Sequence, residues 1–319
     1  MKYDLFVKIG SSIGKFISFL LQFKFIFRIY NFIYESSSYL FIRLFVKFIE
    51  LPDRDNKWLI FLPNGKKILT KIKKGDLMSR QFALSYKWHS PALNFTETLL
   101  NEYFNKEIPW IDVGSNLGIR SLLALSEGKQ VYFIEPNKET NRLNIERCKL
   151  NGFNNYSLFE VGASDRKGST EFTIDKSSYN SSLESGLVSD NEIDRKEIIK
   201  IDTLDNLFDN KLNDFKTACI KIDVEGHELQ VLYGAERFIS RLTPTIIIEV
   251  NQKDSHFLEF ESLLYQYNYV IFEIGNFKKG KFFKKLTKDL SIEKTLIINN
   301  DFLVTADNSL VNKIEDYAI

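Results

Sequence analysis

From residue 108 onward, short apolar runs alternate with stretches of helical periodicity, and this alternation constrains the fold more than any other feature. The apolar runs predict strands at 108–113, 130–135, 156–163, 218–223, 245–250, 269–274 and near 301–305. Helices are predicted between them at 117–126, 137–151, 227–241 and 255–267. Such repeated strand–helix units indicate an α/β fold, with a mostly parallel sheet and helices on both faces.

The chain before residue 108 has a different pattern. Residues 58–73 contain two apolar or alternating runs around Pro63-Asn64-Gly65, and the Asn-Gly pair predicts a hairpin. Residues 76–106 read as helical segments, with a helix start at Ser90-Pro91. The chain therefore divides into an N-terminal segment 1–50, a hairpin and helical lead-in 51–107, and an α/β domain 108–319. Within that domain, residues 168–174 and 196–201 predict additional strands, with a Ser- and Asn-rich loop at 175–191.

Residues 1–50 are rich in Phe and carry seven basic against three acidic residues, a net charge of +4. The best apolar window, 16–33, holds Lys24 and Arg28 near its middle, and each would cost roughly 2.5–3.5 kcal/mol at a bilayer centre. A spanning helix is therefore disfavoured, and no small-residue cleavage site marks a secretory signal. An amphipathic helical segment remains, which either lies on an anionic membrane surface or packs on the α/β domain or in a homodimer interface.

Charge and cysteine content narrow the functional classes. The chain has 43 Lys and Arg against 42 Asp and Glu, which gives no electrostatic case for nucleic-acid binding. Cys148 and Cys219 lie far apart, so they predict neither a zinc site nor a disulfide framework and fit the cytoplasm. Residues 278–288 carry six lysines, which indicate a solvated loop or a contact with an anionic surface or substrate.

A glycine-rich turn follows the first strand of the α/β domain, at Asp112-Val113-Gly114-Ser115-Asn116-Leu117-Gly118. It lacks the second glycine of the dinucleotide fingerprint and the Gly-Lys-Ser/Thr of a phosphate loop, so a ligand without a pyrophosphate fits it better. Gly114 and Gly118 would admit such a ligand against the backbone, and Asp112 could meet an ammonium group.

An acidic residue, Glu135, ends the second strand 21 residues after Gly114, and Pro136 then stops that strand. An acid at this position can accept hydrogen bonds from both hydroxyls of a ribose. The glycine turn and Glu135 together predict a site for an adenosine-containing ligand. Pro136 and Ala163, at the ends of the second and third strands, are assigned to the same site.

A second acidic group follows the strand Ile220-Lys221-Ile222, which delivers Asp223 to its carboxyl end. Glu225, His227 and Glu228 come next, and Glu249 ends the strand after it. Ligands bind at this edge of open α/β sheets, so Asp223, Glu225, His227 and Glu249 are the candidate catalytic residues. His227 is the natural base at neutral pH. Two alternatives stay open. Glu225 and Glu228 could only stabilise the N-terminus of the following helix electrostatically, or Asp223, Glu225, His227 and Glu249 could hold a divalent ion.

With these motifs in order, the chain resembles the FkbM family of class I methyltransferases over residues 108 to about 274. The resemblance is carried by IDVGSNLGIRS, VYFIEPNKETNRLNIERCKLNG, IKIDVEGHELQVLYGAERFI and PTIIIEVN. It implies a Rossmann-like seven-stranded sheet, S-adenosylmethionine as the cofactor and O-methylation of a hydroxyl, often on a sugar. The family's motifs map onto Asp112, Gly114, Asn116, Gly118 and Glu135, and onto Asp223, Glu225 and Gly226. Ser115 stands where an alanine is common.

Three functions are therefore considered. The first is an O-methyltransferase for a hydroxyl of a sugar in a cell-surface glycan or glycolipid, held at the inner face of the membrane by residues 1–50. The second is a methyltransferase that acts on a nitrogen, a protein or a non-sugar small molecule. The third is a catalytically silent, membrane-associated binding module, which the joint presence of Asp112, Gly114, Glu135 and Asp223 disfavours.

Overall fold

The computed structural model describes residues 58–70, 90–175, 181–183, 193–211, 213–250, 256–286 and 299–319. The predicted amphipathic segment 1–50, residues 76–89 of the helical lead-in, and most of the 175–191 loop lie outside the described residues. Within the described ranges, no helix has both the length and the apolar character needed to cross a membrane.

The described chain contains thirteen strands and eight α-helices. The strands are β1 Trp58–Phe61, β2 Lys67–Thr70, β3 Trp110–Val113, β4 Val131–Ile134, β5 Tyr156–Phe159, β6 Gly162–Ala163, β7 Gly168–Asp175, β8 Ile193–Asp202, β9 Cys219–Ile222, β10 Thr245–Glu249, β11 Val270–Lys278, β12 Lys281–Lys285 and β13 Asp301–Thr305. The helices are α1 Pro91–Tyr103, α2 Ser121–Ser126, α3 Lys138–Asn151, α4 Leu204–Leu207, α5 Glu228–Tyr233, α6 Glu236–Leu242, α7 His256–Gln266 and α8 Asn308–Glu315.

The central sheet has the strand order β12-β11-β13-β10-β9-β3-β4-β5. The five strands β10, β9, β3, β4 and β5 run parallel, whereas β13 pairs antiparallel with both β10 and β11. Every residue of β3, β4 and β9 is buried, as apolar strands covered by helices on both faces must be. The α/β fold predicted from the sequence is confirmed, with β12 as an eighth strand beyond the seven expected.

Two apolar cores lie on the two faces of the sheet. One core joins the α1 and α2 side to the β1–β2 hairpin and includes Leu100, Trp110, Leu123 and Ile68. The other core packs α5, α6 and α7 against the opposite face. The predicted hairpin is confirmed: Trp58 pairs with Thr70, and the turn lies at residues 62–66.

The third predicted strand, 156–163, is wrong as a single element. The structure divides it into β5, which joins the central sheet, and β6, which joins a separate three-stranded sheet of order β6-β8-β7. The chain leaves the central sheet after Phe159 and enters the second sheet at Gly162, which pairs with Ile201 of β8. Apolar periodicity does not show at which residue a chain passes from one sheet to another.

The lysine-rich stretch 278–288, for which the sequence indicated a solvated loop or a contact with an anionic surface or substrate, is not a loop throughout, because it contains strand β12. Phe283 is fully buried, and Lys284 and Lys285 pair with Glu273 and Glu315. A period of two lets one side of a strand enter the core while its lysines reach water, so high charge alone did not exclude a strand. Residues 287 and 288 lie outside the described residues.

The predicted helix 227–241 is broken into α5 and α6 at Gly234-Ala235. A Cβ on Gly234 would lie 2.0 Å from the carbonyl oxygen of Ser164, so only a glycine lets the chain pass this close to the end of β6. The helix break and the second sheet are therefore joined by one backbone contact.

Replacing Gly234 by alanine should lower the free energy of unfolding by about 1–3 kcal/mol, because the clash is with backbone that must shift. Urea denaturation would measure the change. The matched control is Gly168→Ala, where an added Cβ has no atom within 4 Å and where a change within about 0.5 kcal/mol is expected. Equal effects of the two substitutions would show that the Gly234 contact does not limit packing.

Candidate active site

A cavity of about 510 Å³ opens at the carboxyl ends of the parallel strands. Its wall contains the glycine turn after β3, the end of β4, the end of β9 and the end of β10. Asp301 also lies on the wall, because β13 is antiparallel and therefore starts at this edge. The sheet thus brings Gly114 and Asp301, which lie 187 positions apart in the chain, to the same cavity.

The glycine turn packs directly on the residue that follows β9. Gly114 has φ +73°, and a Cβ there would lie 1.9 Å from the carbonyl oxygen of Asp223. A side chain at this position would therefore collide with backbone and also force a left-handed conformation. Asn116 has φ +44°, and its carbonyl oxygen accepts a hydrogen bond from Asn144 Nδ2 at 2.7 Å. The turn is thus fixed from two sides.

Glu135 lies beside this turn with both carboxylate oxygens bound to backbone. Its Oε2 accepts from the Asn116 N–H at 2.8 Å, and its Oε1 accepts from the Asn137 N–H at 2.8 Å. Burial raises the pKa of Glu135 to about 7, although the two backbone hydrogen bonds oppose that shift. Each carboxylate oxygen has a further lone pair, so Glu135 can accept hydrogen bonds from two hydroxyls of a ligand while it holds the turn.

The part of the cavity wall formed by the glycine turn and Glu135, here called the donor side, offers an unbonded polar group to a ligand. Within the described residues, the Ser115 hydroxyl is a buried side-chain group without a hydrogen-bond partner, and Ser115 lines the cavity. A buried hydroxyl of this kind costs free energy unless something bonds to it. Asn116, Pro136 and Ala163 lie on the same wall, as the sequence predicted for cofactor-binding residues.

Asp112 and Gly118, predicted to contact the ligand, lie behind the turn and are not among the residues that line the cavity. The Asp112 carboxylate is fully buried, and it accepts a hydrogen bond from Ser121 Oγ at 2.6 Å. Burial raises the pKa of Asp112, and the Lys221 ammonium opposes that rise. A Cβ on Gly118 would lie 2.8 Å from Asn144 Oδ1 and 2.9 Å from the Phe133 ring, so this glycine serves packing.

An ion pair between a buried lysine and a partly exposed aspartate lies at the end of β9. Lys221 Nζ donates to Asp223 Oδ2 at 2.7 Å. Although burial opposes the shift, Lys221 lowers the pKa of Asp223 and keeps its carboxylate ionised. A hydrogen bond joins Asp223 to Glu249, and the Asp223 charge, together with burial, raises the pKa of Glu249 to about 9. Glu249 therefore holds a proton at neutral pH.

Glu225 stands next to this pair in a left-handed backbone conformation, with φ +53°. Burial and the Asp223 charge raise the pKa of Glu225 to about 8. Its carbonyl oxygen accepts a hydrogen bond from Ser182 Oγ at 2.7 Å. Glu228 stabilises the loop that contains Glu225. Its Oε1 accepts hydrogen bonds from the N–H groups of Val224 and Gly226, each at 3.1 Å. Glu228 thus has the structural role that the sequence left open for it.

His227, the predicted base, does not line the cavity with the carboxylates. It precedes α5, and its Nε2 lies 3.0 Å from the hydroxyl of buried Ser164. The chain turns sharply at Glu225 and Gly226, which both have positive φ, and His227 follows that turn. In the described part of the chain, no three His, Cys, Asp or Glu side chains are grouped so as to hold a metal ion.

Reasoning from sequence missed three charged residues on the cavity wall: Lys221, Arg120 and Asp301. Arg120 pairs with the fully buried Glu97 of α1 at 3.1 Å. Burial raises the pKa of Asp301 to about 6, with Arg120 opposing the shift. A lysine between two isoleucines of a buried strand was the available signal for Lys221. The sequence held no comparable signal for Asp301 or Arg120. Asp301 reaches the site because β13 is antiparallel, and Arg120 reaches it because it immediately precedes α2.

Residues 112–271 match the family model described as "Methyltransferase FkbM domain". The chain is also similar to the methyltransferase FkbM from Methylobacillus flagellatus KT, with 17% identity and a TM-score of 0.40 over 73% of this chain; it spans 56% of that protein's length. It is similar to the SAM-dependent methyltransferase from Agrobacterium tumefaciens, with 8% identity and a TM-score of 0.42 over 80% of this chain and 72% of the other. No curated protein sequence matches.

The family match covers half of the chain and holds every candidate residue from Asp112 to Glu249. The chain therefore belongs to the FkbM family of methyltransferases, and its cofactor is S-adenosylmethionine.

Proposed function

We propose that this chain is an O-methyltransferase that methylates a hydroxyl of a sugar in a cell-surface glycan or glycolipid. One observation carries the choice of a hydroxyl: Glu225, a carboxyl with a pKa near 8, shares the cavity wall with Asp223 and with the donor-side residues Glu135 and Ser115. A hydroxyl must lose its proton during methyl transfer, and a base titrating near neutral pH is suited to take it.

On the donor side, Glu135 would bind the ribose hydroxyls, and Ser115 and Asn116 would bind other polar groups of the cofactor. S-adenosylmethionine supplies an electrophilic methyl group on a sulfonium. The residues that line the cavity would exclude water from it and fix its orientation, and positioning of this kind lowers the barrier to a displacement by several kcal/mol. Glu135 does so without movement, because its two backbone hydrogen bonds already fix the carboxylate.

On the acceptor side, three carboxyl groups have different charge states and therefore different roles. Asp223 stays ionised beside Lys221 and accepts a hydrogen bond from the acceptor hydroxyl. Among these three carboxyls, Glu225 has the pKa nearest neutral pH, and it takes the proton. Glu249 remains protonated and bonds to Asp223, which limits the repulsion between the acids. This assignment gives the role predicted for His227 to Glu225.

If Glu225 is the base, kcat should rise as the pH increases through about 8. The raised pKa leaves Glu225 protonated below that pH, and a protonated carboxyl cannot accept the hydroxyl proton. In Glu225→Gln, kcat should fall by roughly 10²–10⁴-fold and this rise should disappear, while the Kd for S-adenosylhomocysteine stays within about threefold. Initial rates between pH 6 and 10 would measure both effects.

The matched control for that experiment is Glu160→Gln, an exposed glutamate on the loop between β5 and β6. It should keep the wild-type rate and pH profile. An unchanged profile in Glu225→Gln would remove Glu225 from the reaction. If His227→Gln then abolished the pH dependence instead, the base would be the histidine.

The acceptor itself can be identified with isotopically labelled S-adenosylmethionine and glycan and glycolipid extracts of the source cell. We expect the label on one sugar hydroxyl, located by fragmentation in a mass spectrometer. The corresponding deoxy-sugar should accept no methyl group, because the attacking oxygen is missing. Label on a nitrogen, on protein, or on a non-sugar small molecule would overturn the sugar assignment and support the second function considered from the sequence.

We further propose that the enzyme works in the cytoplasm and contacts the anionic inner face of the membrane through residues 1–50. Their net charge of +4 and high Phe content support this, since each Lys or Arg near such a surface contributes about 1 kcal/mol. The full chain should co-sediment with vesicles that contain phosphatidylserine and not with neutral vesicles. The double substitution Lys24→Glu and Arg28→Glu should weaken binding by about tenfold or more.

Exposed lysines of the α/β domain provide the control, with Lys138→Glu and Lys167→Glu making the same charge change. This pair should leave vesicle binding almost unchanged. If both double variants bind equally, residues 1–50 are not the membrane contact. Size-exclusion chromatography of the same variants would then test the alternative homodimer interface.

A further inference from the structure

A buried arginine, Arg147, lies in the middle of α3 with 3% of its surface exposed. Its guanidinium donates hydrogen bonds to residues of strand β2, of the glycine turn and of α3 itself. Nε donates to Thr70 Oγ1 of β2 at 2.8 Å, and Nη1 donates to Asn144 Oδ1 at 3.0 Å and to the carbonyl oxygen of Leu117. Burial lowers the pKa of Arg147 to about 10, so the side chain remains charged at neutral pH.

These partners lead directly to the donor side of the cavity. Asn144 accepts a hydrogen bond from Arg147 on its Oδ1. Its Nδ2 in turn donates to the carbonyl oxygen of Asn116 at 2.7 Å. The carbonyls of two consecutive turn residues, Asn116 and Leu117, are therefore both fixed from α3. The N–H of Asn116 then meets Glu135 Oε2. Fixing the turn in this way determines where the Glu135 carboxylate faces the cavity.

The same arginine joins the turn to a segment outside the matched domain. The β1–β2 hairpin spans residues 58–70, whereas the family match begins at residue 112. Thr70 supplies the hydroxyl that orients Nε of Arg147, and it is fully buried. A second contact keeps the hairpin against α3, because Asn151 bonds both the N–H and the carbonyl oxygen of Leu69, at 2.6 and 2.7 Å.

We propose that Arg147 is a positioning residue for S-adenosylmethionine, and that the β1–β2 hairpin sets donor affinity by holding Arg147 in place through Thr70. The hairpin thus contributes to cofactor binding as well as to the packing of the hydrophobic core. This inference rests on the donor site and not on the proposed sugar acceptor. It can therefore fail or hold independently of the acceptor assignment.

The shape of the arginine side chain explains why this position needs it. A guanidinium presents its N–H groups in a rigid plane, so a single side chain can meet a hydroxyl, a carbonyl and an amide oxygen in fixed directions. A lysine keeps the charge but offers one nitrogen, and it cannot reach all three partners at once. Arg147→Lys therefore separates geometry from charge.

The test is isothermal titration of the full chain with S-adenosylhomocysteine. In Arg147→Lys the Kd should rise about tenfold, and in Thr70→Val it should rise about threefold, with one site per folded chain in both. A purely structural role would give a different result. It would lower the fraction of chains that bind and the unfolding temperature, and would leave the Kd of the folded fraction unchanged.

Two matched controls keep the result interpretable. Arg142→Lys makes the same change at an exposed position of α3 and should leave Kd and unfolding temperature unchanged. Thr245→Val removes a buried hydroxyl that bonds Thr305 Oγ1 at 2.9 Å, at the amino end of β10 and far from the cavity. It should lower the unfolding temperature without changing Kd.

A Kd within twofold of wild type in both test variants would overturn the proposal. If Arg147→Lys does not fold, Thr70→Val decides alone, because it keeps the arginine and removes only the hydroxyl from the hairpin. The acceptor assay could also fail while the Kd for S-adenosylhomocysteine rises as expected in the two test variants. That result would contradict the sugar acceptor and leave this inference standing.

Discussion

The close packing of the glycine turn on the end of β9 is the contact on which the rest of the site depends. Gly114 lies so near the carbonyl oxygen of Asp223 that any side chain would separate the two loops. The contact fixes the donor-side turn relative to the strand end that carries the acids. Glu135 and Asn144 then hold the turn from its other side. A methyl donor and an acceptor must be aligned within a fraction of an ångström, and this packing provides a rigid frame for that alignment.

Charge balance is the second constraint. Five carboxyl groups line the cavity, at Glu135, Asp223, Glu225, Glu249 and Asp301. They could not all ionise side by side in a low-dielectric cavity. Lys221 and Arg120 stabilise part of the charge, and the remaining acids respond by holding protons, as the raised pKa values of Glu225 and Glu249 show. The site therefore contains an acid whose pKa is lowered, Asp223, next to acids whose pKa values are raised, so that neighbouring carboxyls differ in charge.

Much of this site could be predicted from the sequence, because strand ends and glycine turns are local features. Glu135, Asp223, Glu225 and Glu249 were predicted at one edge of a sheet, and the structure brings them to one cavity. The placement of His227 was not predictable, since it depends on two positive φ angles and on Ser164, 63 residues away. Asp112 and Gly118 occupy the motif positions, yet the Asp112 carboxylate bonds to Ser121 behind the turn, and Gly118 lies against Asn144 and Phe133.

The sequence by itself determined the fold class, the family and the order of the motifs, because strand–helix alternation and short motifs are properties of neighbouring residues. Only the tertiary structure decided which charged groups share the cavity and in which protonation state. Lys221, Arg120 and Asp301 reach the site through pairing of distant strands and helices, and a pKa depends on burial and on neighbours in space. The support of the turn by Arg147 and Thr70 was equally invisible, since its partners come from three separate parts of the chain.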